Sequence, residues 1–437
     1  MKQRETFTSR IGFVMACIGS AIGLGNIWLF PYRLGAYGGA AFLIPYFLFV
    51  LGLGTTGLIA EFSFGRHFGG GSMKGIATVF KEKKKKGGRF WGAIPAIGLL
   101  GIFLFYNIVV GWILKYLVLG VTGELQSIDK TTYFHEFAGS ASSIPWDVLA
   151  VVITVLVICG GVVKGIERIS KWMMPAMFLI FIVLAIRSLT LPGAMAGVEF
   201  LLKPDFRYLL KVDTWVMALG QAFFTVSLNG CGMVVYGSYL KKNYSIPKLA
   251  VTTAVLDLCA AILASFVIMP AVFAFGVDIN SGPPLLFMTM PSVFDRMPGG
   301  RMVAVIFFVS LLFAGISSSI NMLEGVVEAV TSNTKMTRKK AVVIIGALAV
   351  AISIPLNVSM TAFDNFTNFI TIVVSPLTVL LVLIVYLYLY DSEKALEEIN
   401  TGADRKLGNA YLKFVKYGFT LVTIAVTILG IVYGGIG

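Results

Sequence analysis

Residues 19–31 read GSAIGLGNIWLFP and interrupt an apolar run that begins at Ile11. The stretch places three glycines, a serine and an asparagine between apolar residues. Within a bilayer, backbone leaves the helix only where it lines a cavity or is buried in protein. A helix broken at that depth frees carbonyl and amide groups that can bind an ion and an anionic group. The alternative is a glycine-rich packing face, because small residues also let transmembrane helices approach closely.

The composition is that of a membrane protein. Hydrophobic residues make up 57% of the 437 residues and charged ones 13%, whereas soluble domains are about one quarter charged. The four cysteines lie in apolar segments without metal or redox spacing, which predicts packing residues. The net charge of +13 is spread over short loops. This pattern favours contact with anionic membrane lipids and predicts no binding of nucleic acid.

Apolar segments long enough to cross a bilayer, at ~20 residues each, occur about eleven times. We place them at 11–36, 40–64, 91–119, 146–164, 170–190, 213–239, 247–275, 300–330, 340–356, 362–389 and 411–433. Lys and Arg are concentrated in alternate connections, most densely at 81–89. The positive-inside rule then predicts a multi-pass protein of the plasma (cell or inner) membrane with a cytoplasmic N-terminus. The odd number of spans places the C-terminus outside.

A second interrupted stretch lies in the sixth predicted span. Residues 220–232 read GQAFFTVSLNGCG, again small and polar residues between apolar ones. Spans one and six occupy corresponding positions in two five-span halves. Interrupted spans at such positions indicate a transporter binding site, so the second stretch favours broken helices over a packing face.

Four motifs in order resemble those of the neurotransmitter:sodium symporter family. They are SAIGLGNIW at 20–28, Glu61 with Gly65 and Arg66, FFTVSL at 223–228 and FAGISSS at 313–319. The count of eleven spans is similar to a prokaryotic branch that carries amino acids. Interrupted helices of this family are among the examples behind the rule for broken spans, so the two arguments are not independent.

The resemblance implies an all-α polytopic membrane protein with an inverted five-plus-five repeat of the leucine-transporter type. Helices 1 and 6 would be the broken ones. The chain 1–437 would be a single transporter domain, with a first five-helix repeat at 1–190 and a second, inverted repeat at 211–390. Residues 411–433 would form the extra eleventh helix.

The resemblance further implies two sites for co-transported sodium ions and no other cofactor. The first site would use the residues Ala21, Asn26, Thr225 and Asp257, completed by the substrate carboxylate. The second would use the carbonyls of Gly19, Ile22 and Ala314 and the hydroxyls of Ser317 and Ser318. These groups are all oxygens, which hard cations prefer. Hydroxyls bonded back to their own helix are the alternative for the two serines.

Asp257 departs from the animal members, which have asparagine there and bind chloride beside the first sodium. A carboxylate buried in hydrocarbon needs a cation or a proton. We therefore expect Asp257 to supply the negative charge that chloride supplies elsewhere. A helix-packing acid bonded to a neighbour is the alternative.

By the same resemblance the substrate would lie between the two breaks. Tyr106 and the amides of Gly23 to Gly25 would bind its carboxylate, and carbonyls of the second break its amine. The predicted binding residues are Ala21, Gly23, Gly25, Ile102, Tyr106, Phe223, Phe224, Thr225, Ser227, Asn229, Gly230, Ser318 and Met322. Several relatives have phenylalanine where Gly230 stands, so we expect a roomier pocket, with Asn229 available to a polar side chain.

The external gate is altered relative to the family. An arginine usual in the family is replaced by Leu29, whereas Asp364 matches its acidic partner. Arg33 lies one helical turn beyond Leu29, on the same face, and is predicted to approach Asp364 instead, directly or through water, when the external path closes. Tyr106 and Phe224 would close the mouth below this pair.

The internal gate departs as well. Arg4 matches the N-terminal arginine of the family, but the aspartate of the eighth helix is Ser332 here. Glu328, one turn earlier, is the nearest substitute. Tyr239 matches the tyrosine that steadies this latch.

These patterns predict a sodium-coupled symporter that imports a hydrophobic or aromatic L-amino acid, tyrosine first, by alternating access and without chloride. A same-fold transporter coupled to protons, or an exchanger, is the alternative because of Asp257. A membrane enzyme has little support: the two histidines, His67 and His135, lie in different loops, and no nucleotide-binding Gly-Lys loop occurs. The sequence leaves open the oligomeric state.

Overall fold

The computed structural model describes residues 5–276 and 285–434, which fold as helices joined by short connections. Within these residues nine helices are long and apolar enough to cross a membrane, and one bent pair passes the same test. We number the spans in chain order. The nine are Ala40–Phe68 (span 2), Gly88–Thr122 (span 3), Ala141–Cys159 (span 4), Val162–Leu189 (span 5), Ile246–Phe275 (span 7), Gly300–Asn333 (span 8), Arg338–Asn357 (span 9), Met360–Tyr390 (span 10) and Asn409–Tyr433 (span 11).

Span 1 is the bent pair. Its first half, Arg10–Ala21, begins at the cap Ser9, whose hydroxyl accepts a hydrogen bond from the amide of Gly12. The second half, Gly25–Ala36, is bent from the first by 55°. Ile22 between them has ψ 87°, which is not helical. The predicted break therefore falls within the glycine-rich stretch.

Span 6 consists of two shorter helices, Val212–Thr225 and Gly232–Gly237. The six residues between them are not helical. Ser227 has φ 57° and Gly230 has φ 68°, and only glycine adopts this left-handed region without strain. The prediction of two broken helices in an all-helical protein is confirmed.

The spans differ in how deeply they lie within the molecule. Of the most apolar part of span 3, 89% is buried, against 39% for spans 5 and 11. Spans 3 and 8 pack along each other beside span 1. Large apolar side chains such as Leu156, Leu179 and Leu421 remain exposed on the outer helices. Such an apolar perimeter suits a lipid environment, and it leaves the centre of the molecule to spans 1, 3, 6 and 8.

Short helices close the two ends of the bundle. In the connection after span 7, Leu285–Asp295 is an apolar helix too short to span, and its Phe287 is buried and stacks on Phe134. At the other end, the helices Ser72–Glu82 and Ser392–Asn400 follow spans 2 and 10.

Candidate functional site

The two breaks and span 7 meet at a buried cluster of oxygen-bearing side chains. The Asn26 amide donates to Asp257 Oδ1 over 2.8 Å, and the Thr225 hydroxyl lies 2.9 Å from Asp257 Oδ2 and 3.1 Å from Asn26 Oδ1. All three side chains are at most 1% exposed. Within the described residues, neutral donors alone bind the Asp257 carboxylate. The structure thus brings together the three predicted side-chain ligands of the first ion site, one of which is a buried carboxyl group.

Four of the five residues predicted for the second ion site lie close together: Gly19, Ala314, Ser317 and Ser318. The Ser318 hydroxyl donates to the carbonyls of Gly19 and Ser20, over 3.1 and 3.2 Å. The Ser317 hydroxyl donates to Ala314 of its own helix over 2.9 Å, which is the back-bonded alternative. A β-carbon on Gly19 would lie 2.9 Å from that of Ser317, so spans 1 and 8 are in close contact here. The Ser317 oxygen keeps two lone pairs while its hydroxyl donates, so this bond leaves the oxygen able to bind an ion.

A cavity lies next to these clusters, between both breaks and spans 3, 8, 10 and 11. Its volume open to the centre of a water-sized sphere is about 70 Å³. Since ~10–15 Å³ of such volume holds one water molecule, the cavity accommodates several polar groups. The predicted residues that line it are Ala21, Gly23, Gly25, Ile102, Tyr106, Phe223, Phe224, Ser227, Asn229, Ser318 and Met322.

One end of the cavity is rich in hydrogen-bonding groups. The Tyr106 hydroxyl accepts from the amide of Leu24 over 3.2 Å. The bent end of span 1 also exposes a carbonyl at Gly25, which accepts from the amide of Gln221 over 3.1 Å. Phe224 covers Gly25, because a β-carbon there would lie 2.7 Å from its ring. The Tyr106 hydroxyl still has its own proton to donate, so it can bind a small anionic group at this end, beneath the ring of Phe224.

Three side chains hold the broken part of span 6 in place. The Ser227 hydroxyl donates to the carbonyl of Ser20 over 2.8 Å, which ties the second break to the first. The buried Glu61 of span 2 accepts from the amide of Gly230 over 2.8 Å. Asn229 Oδ1 accepts from the amides of Cys231 and Gly232 and so caps the second half of span 6. These bonds satisfy backbone donors that the break leaves without helical partners.

The prediction that Gly230 enlarges the pocket is wrong. Gly230 does not line the cavity, and a β-carbon on it would lie 2.5 Å from the carbonyl of Thr378 in span 10. The positive φ turns this position away from the substrate space, and the missing side chain lets span 10 pack on the break. Thr225 likewise does not line the cavity but belongs to the ion cluster. Asn229 does line it, although its oxygen is occupied by the cap.

The predicted external pair of Arg33 and Asp364 does not form in this structure. Arg33 is buried, and its guanidinium donates to Gln221 Oε1 over 2.9 Å, whereas Asp364 is exposed. The side chain of Gln221 in turn donates to the carbonyl of Gly25, so it links the second half of span 1 to the first helix of span 6. The bend at residues 22–24 turns Arg33 toward span 6 rather than span 10.

At the predicted cytoplasmic end, Tyr239 binds Glu324. The Tyr239 hydroxyl donates to Glu324 Oε1 over 2.6 Å, and Arg338 of span 9 donates to both carboxylate oxygens, over 2.9 and 2.5 Å. Glu328 accepts from Ser332 over 2.5 Å. Arg4, the predicted partner, lies outside the described residues.

Sequence reasoning missed several residues of this site. Span 10 contributes Thr371, Ser375 and Val379 to the cavity, and span 11 contributes Val426. Gln221 and Glu324 were not selected either. The signal for Gln221 and Glu324 was a polar or acidic residue within an apolar run. Burying such a residue in a membrane is unfavourable in free energy, so it rarely lacks a partner.

The sequence profile of the Sodium:neurotransmitter symporter family matches residues 4–137 and 130–436. The chain is 41% identical to the uncharacterized sodium-dependent transporter YhdH of Bacillus subtilis, over 80% of this chain and 77% of that protein. It is 32% identical to an uncharacterized sodium-dependent transporter of Methanocaldococcus jannaschii, over 93% and 86% of the two chains.

A solved structure extends the likeness to the whole fold. The crystal structure of MhsT in complex with L-phenylalanine matches with a TM-score of 0.86 and 32% identity, over 98% of this chain and all of that one. A bovine sodium- and chloride-dependent taurine transporter is 29% identical, over 74% of this chain and 60% of its own length.

Proposed function

The chain belongs to the Sodium:neurotransmitter symporter family, whose members are transporters rather than enzymes, and we propose that it imports a hydrophobic or aromatic L-amino acid together with sodium. One observation carries the proposal. The oxygen cluster of Asn26, Thr225 and Asp257 lies at both helix breaks, next to the cavity. An ion there and an amino-acid carboxylate at Leu24 and Gly25 would stabilise one another, because their charges are opposite. Such mutual stabilisation couples the two binding events.

The substrate class follows from the two ends of the cavity. The polar end at Tyr106 and the first break suits a carboxylate and an amine. Ile102, Phe224 and Met322 offer an apolar surface for the side chain. The L-phenylalanine bound to MhsT supports this class, and we favour tyrosine among its members.

Independence from chloride is proposed from Asp257. This carboxylate is fully buried and already places a negative charge beside the predicted sodium ligands. A second anion at that place would be repelled. The bovine taurine transporter is described as chloride-dependent, so dependence on chloride is the outcome that the test must exclude.

Uptake of labelled tyrosine into proteoliposomes tests the proposal. Uptake should require an inward sodium gradient and persist when gluconate replaces chloride. Asp257→Asn keeps the shape but removes the charge, so sodium-dependent uptake should fall about tenfold or more. Asp213→Asn is the control, since Asp213 lies on the exposed start of span 6. Loss of uptake without chloride, or normal uptake by Asp257→Asn, would contradict the role of Asp257.

A proton-coupled transporter or exchanger is the second candidate. The same Asp257 carboxylate can carry a proton instead of facing a sodium ion. Uptake driven by a proton gradient in sodium-free buffer would favour this candidate over sodium symport.

A further inference from the structure

Part of the cavity lining comes from spans 10 and 11, and we call the space along this lining the branch. We define it by the lining residues Ile372, Ser375, Pro376, Val379 and Val426. Phe223 also lines the cavity, and its ring stacks on that of Phe419 in span 11, with the ring centres 5.5 Å apart and the ring planes 9° apart. Apart from Ser375 these residues are apolar, so the branch is an apolar chamber within the cavity.

The glycine at position 230 allows span 10 to pack close enough to line this chamber. A side chain there would collide with the backbone of Thr378, so span 10 could not approach the break in span 6. Instead the Thr378 hydroxyl lies 2.8 Å from the carbonyl of Asn229, within hydrogen-bond distance. Span 10 thus becomes a wall of the cavity rather than a more distant helix.

Ser375 is the polar exception in this wall. The neighbouring hydroxyls of Thr371 and Thr378 are bound to carbonyls within 2.8 Å. Among the described residues, the Ser375 hydroxyl makes no hydrogen bond, although the residue lines the cavity and is half-buried. A hydroxyl without a partner in an apolar chamber is available to form a hydrogen bond with a ligand.

We propose that the branch receives the far end of the substrate side chain, and that Ser375 determines preference for a side chain with a polar tip. The inference rests on the proposed function, because it presumes an amino acid bound at the first break. A phenol hydroxyl would hydrogen-bond to Ser375, whereas a phenyl ring would leave that hydroxyl unpaired. Sites with such a polar partner discriminate more strongly than apolar pockets.

The experiment measures competition by unlabelled tyrosine and phenylalanine against labelled leucine, on purified protein in sodium buffer. The ratio of the two inhibition constants should favour tyrosine in the unmodified protein. Ser375→Ala should reduce that ratio about tenfold while leucine binding persists. Thr423→Val is the matched control, because its buried hydroxyl lies on span 11 outside the cavity and is bonded to Phe419. It should leave the ratio unchanged.

A second variant tests the chamber itself. Ser375→Leu should fill the branch, so that it weakens tyrosine and phenylalanine together while alanine still binds in sodium buffer. Retained leucine binding with an unchanged tyrosine-to-phenylalanine ratio in Ser375→Ala would overturn the inference and leave the proposed function standing. Absence of sodium-dependent leucine and tyrosine binding in the unmodified protein would instead contradict the proposed function.

Discussion

At the scale of single residues, the substrate end of the cavity depends on backbone that approaches side chains closely. A β-carbon on Gly23 would lie 2.6 Å from the Tyr106 hydroxyl and 2.8 Å from the Ser318 hydroxyl. These distances are shorter than real β-carbon contacts. Tyr106 and Ser318 could not keep their bonds to Leu24 and Gly19 if position 23 carried a methyl group.

Gly23→Ala should therefore weaken sodium-dependent binding of the amino acid. Overpacking of this kind costs about 1–3 kcal/mol, which is roughly a tenfold to hundredfold loss of affinity. Gly52→Ala is the control, because a β-carbon on Gly52 meets nothing within 4 Å. Equilibrium binding of labelled leucine measures both variants. Equal affinity of Gly23→Ala and the unmodified protein would show that the first break is not the binding end.

Side-chain direction explains why some of these residues could not be predicted. The break near Gly230 was visible as small and polar residues in an apolar run. The direction in which a side chain at position 230 would point depends on the φ angle of 68°. The residue type at this position does not by itself give that angle. The bond of Arg33 to Gln221 likewise depends on the bend of span 1, which helical spacing alone does not give.

At the scale of elements, the short helix Ser392–Asn400 is tied to the end of span 2. Its Glu398 is 6% exposed and accepts from Arg66 Nε over 2.6 Å and from Lys242 over 2.5 Å. Burial raises the pKa of Glu398, but hydrogen bonds from His67 and Lys242 and the charge of Arg66 outweigh it and lower the pKa to about 2. The carboxylate thus joins the short helix to Arg66 at the end of span 2 and to Lys242 in the connection after span 6.

Glu398→Gln should lower the thermal unfolding midpoint of the protein in detergent. Removing one member of a buried ion pair costs about 3–5 kcal/mol, since Arg66 would stay buried beside a neutral group. Glu397→Gln is the control, because its side chain is exposed on the same helix. Similar midpoints for Glu398→Gln and Glu397→Gln would contradict the assignment of Glu398 as an anchor.

The same anchor has a defined pH dependence. Its folded pKa lies below the ordinary value of 4.5, so the stabilisation is complete above that value. It is lost as the pH falls from about 4.5 through about 2. The difference in unfolding midpoint between the unmodified protein and Glu398→Gln should therefore stay constant from pH 7 to pH 5. A difference that disappears within that range would contradict the lowered pKa.

At the scale of the whole molecule, sequence predicted the architecture far better than the lining of the cavity. The spans were recognisable because each needs a long apolar run, and the breaks because small polar residues interrupt two of them. Spans 10 and 11 could not be assigned to the cavity. Val379 and Val426, which line it, have the same apolar character as Leu421, which faces outward. Hydropathy does not distinguish a lipid-facing position from a cavity-facing one.

At the predicted cytoplasmic end, hydrogen bonds to one carboxylate join three spans. Glu324 of span 8 is 0% exposed and joins Tyr239, at the end of span 6, to Arg338 of span 9. The amide of Phe7 also donates to the carbonyl of Tyr239, so the N-terminal segment packs on the same point. Under the proposed import by alternating access this end must open, and opening would separate span 6 from spans 8 and 9.

Glu324→Gln should therefore make the closed end open more often. Loss of one buried partner costs about 3–5 kcal/mol, so backbone amides at 232–245 should exchange with deuterium about tenfold faster or more in sodium buffer. Glu199→Gln is the control, because Glu199 is exposed on the helix Ala194–Leu202. Hydrogen exchange followed by mass spectrometry measures both. Faster exchange throughout the chain would indicate general destabilisation, and unchanged exchange at 232–245 would show that Glu324 does not hold this end closed.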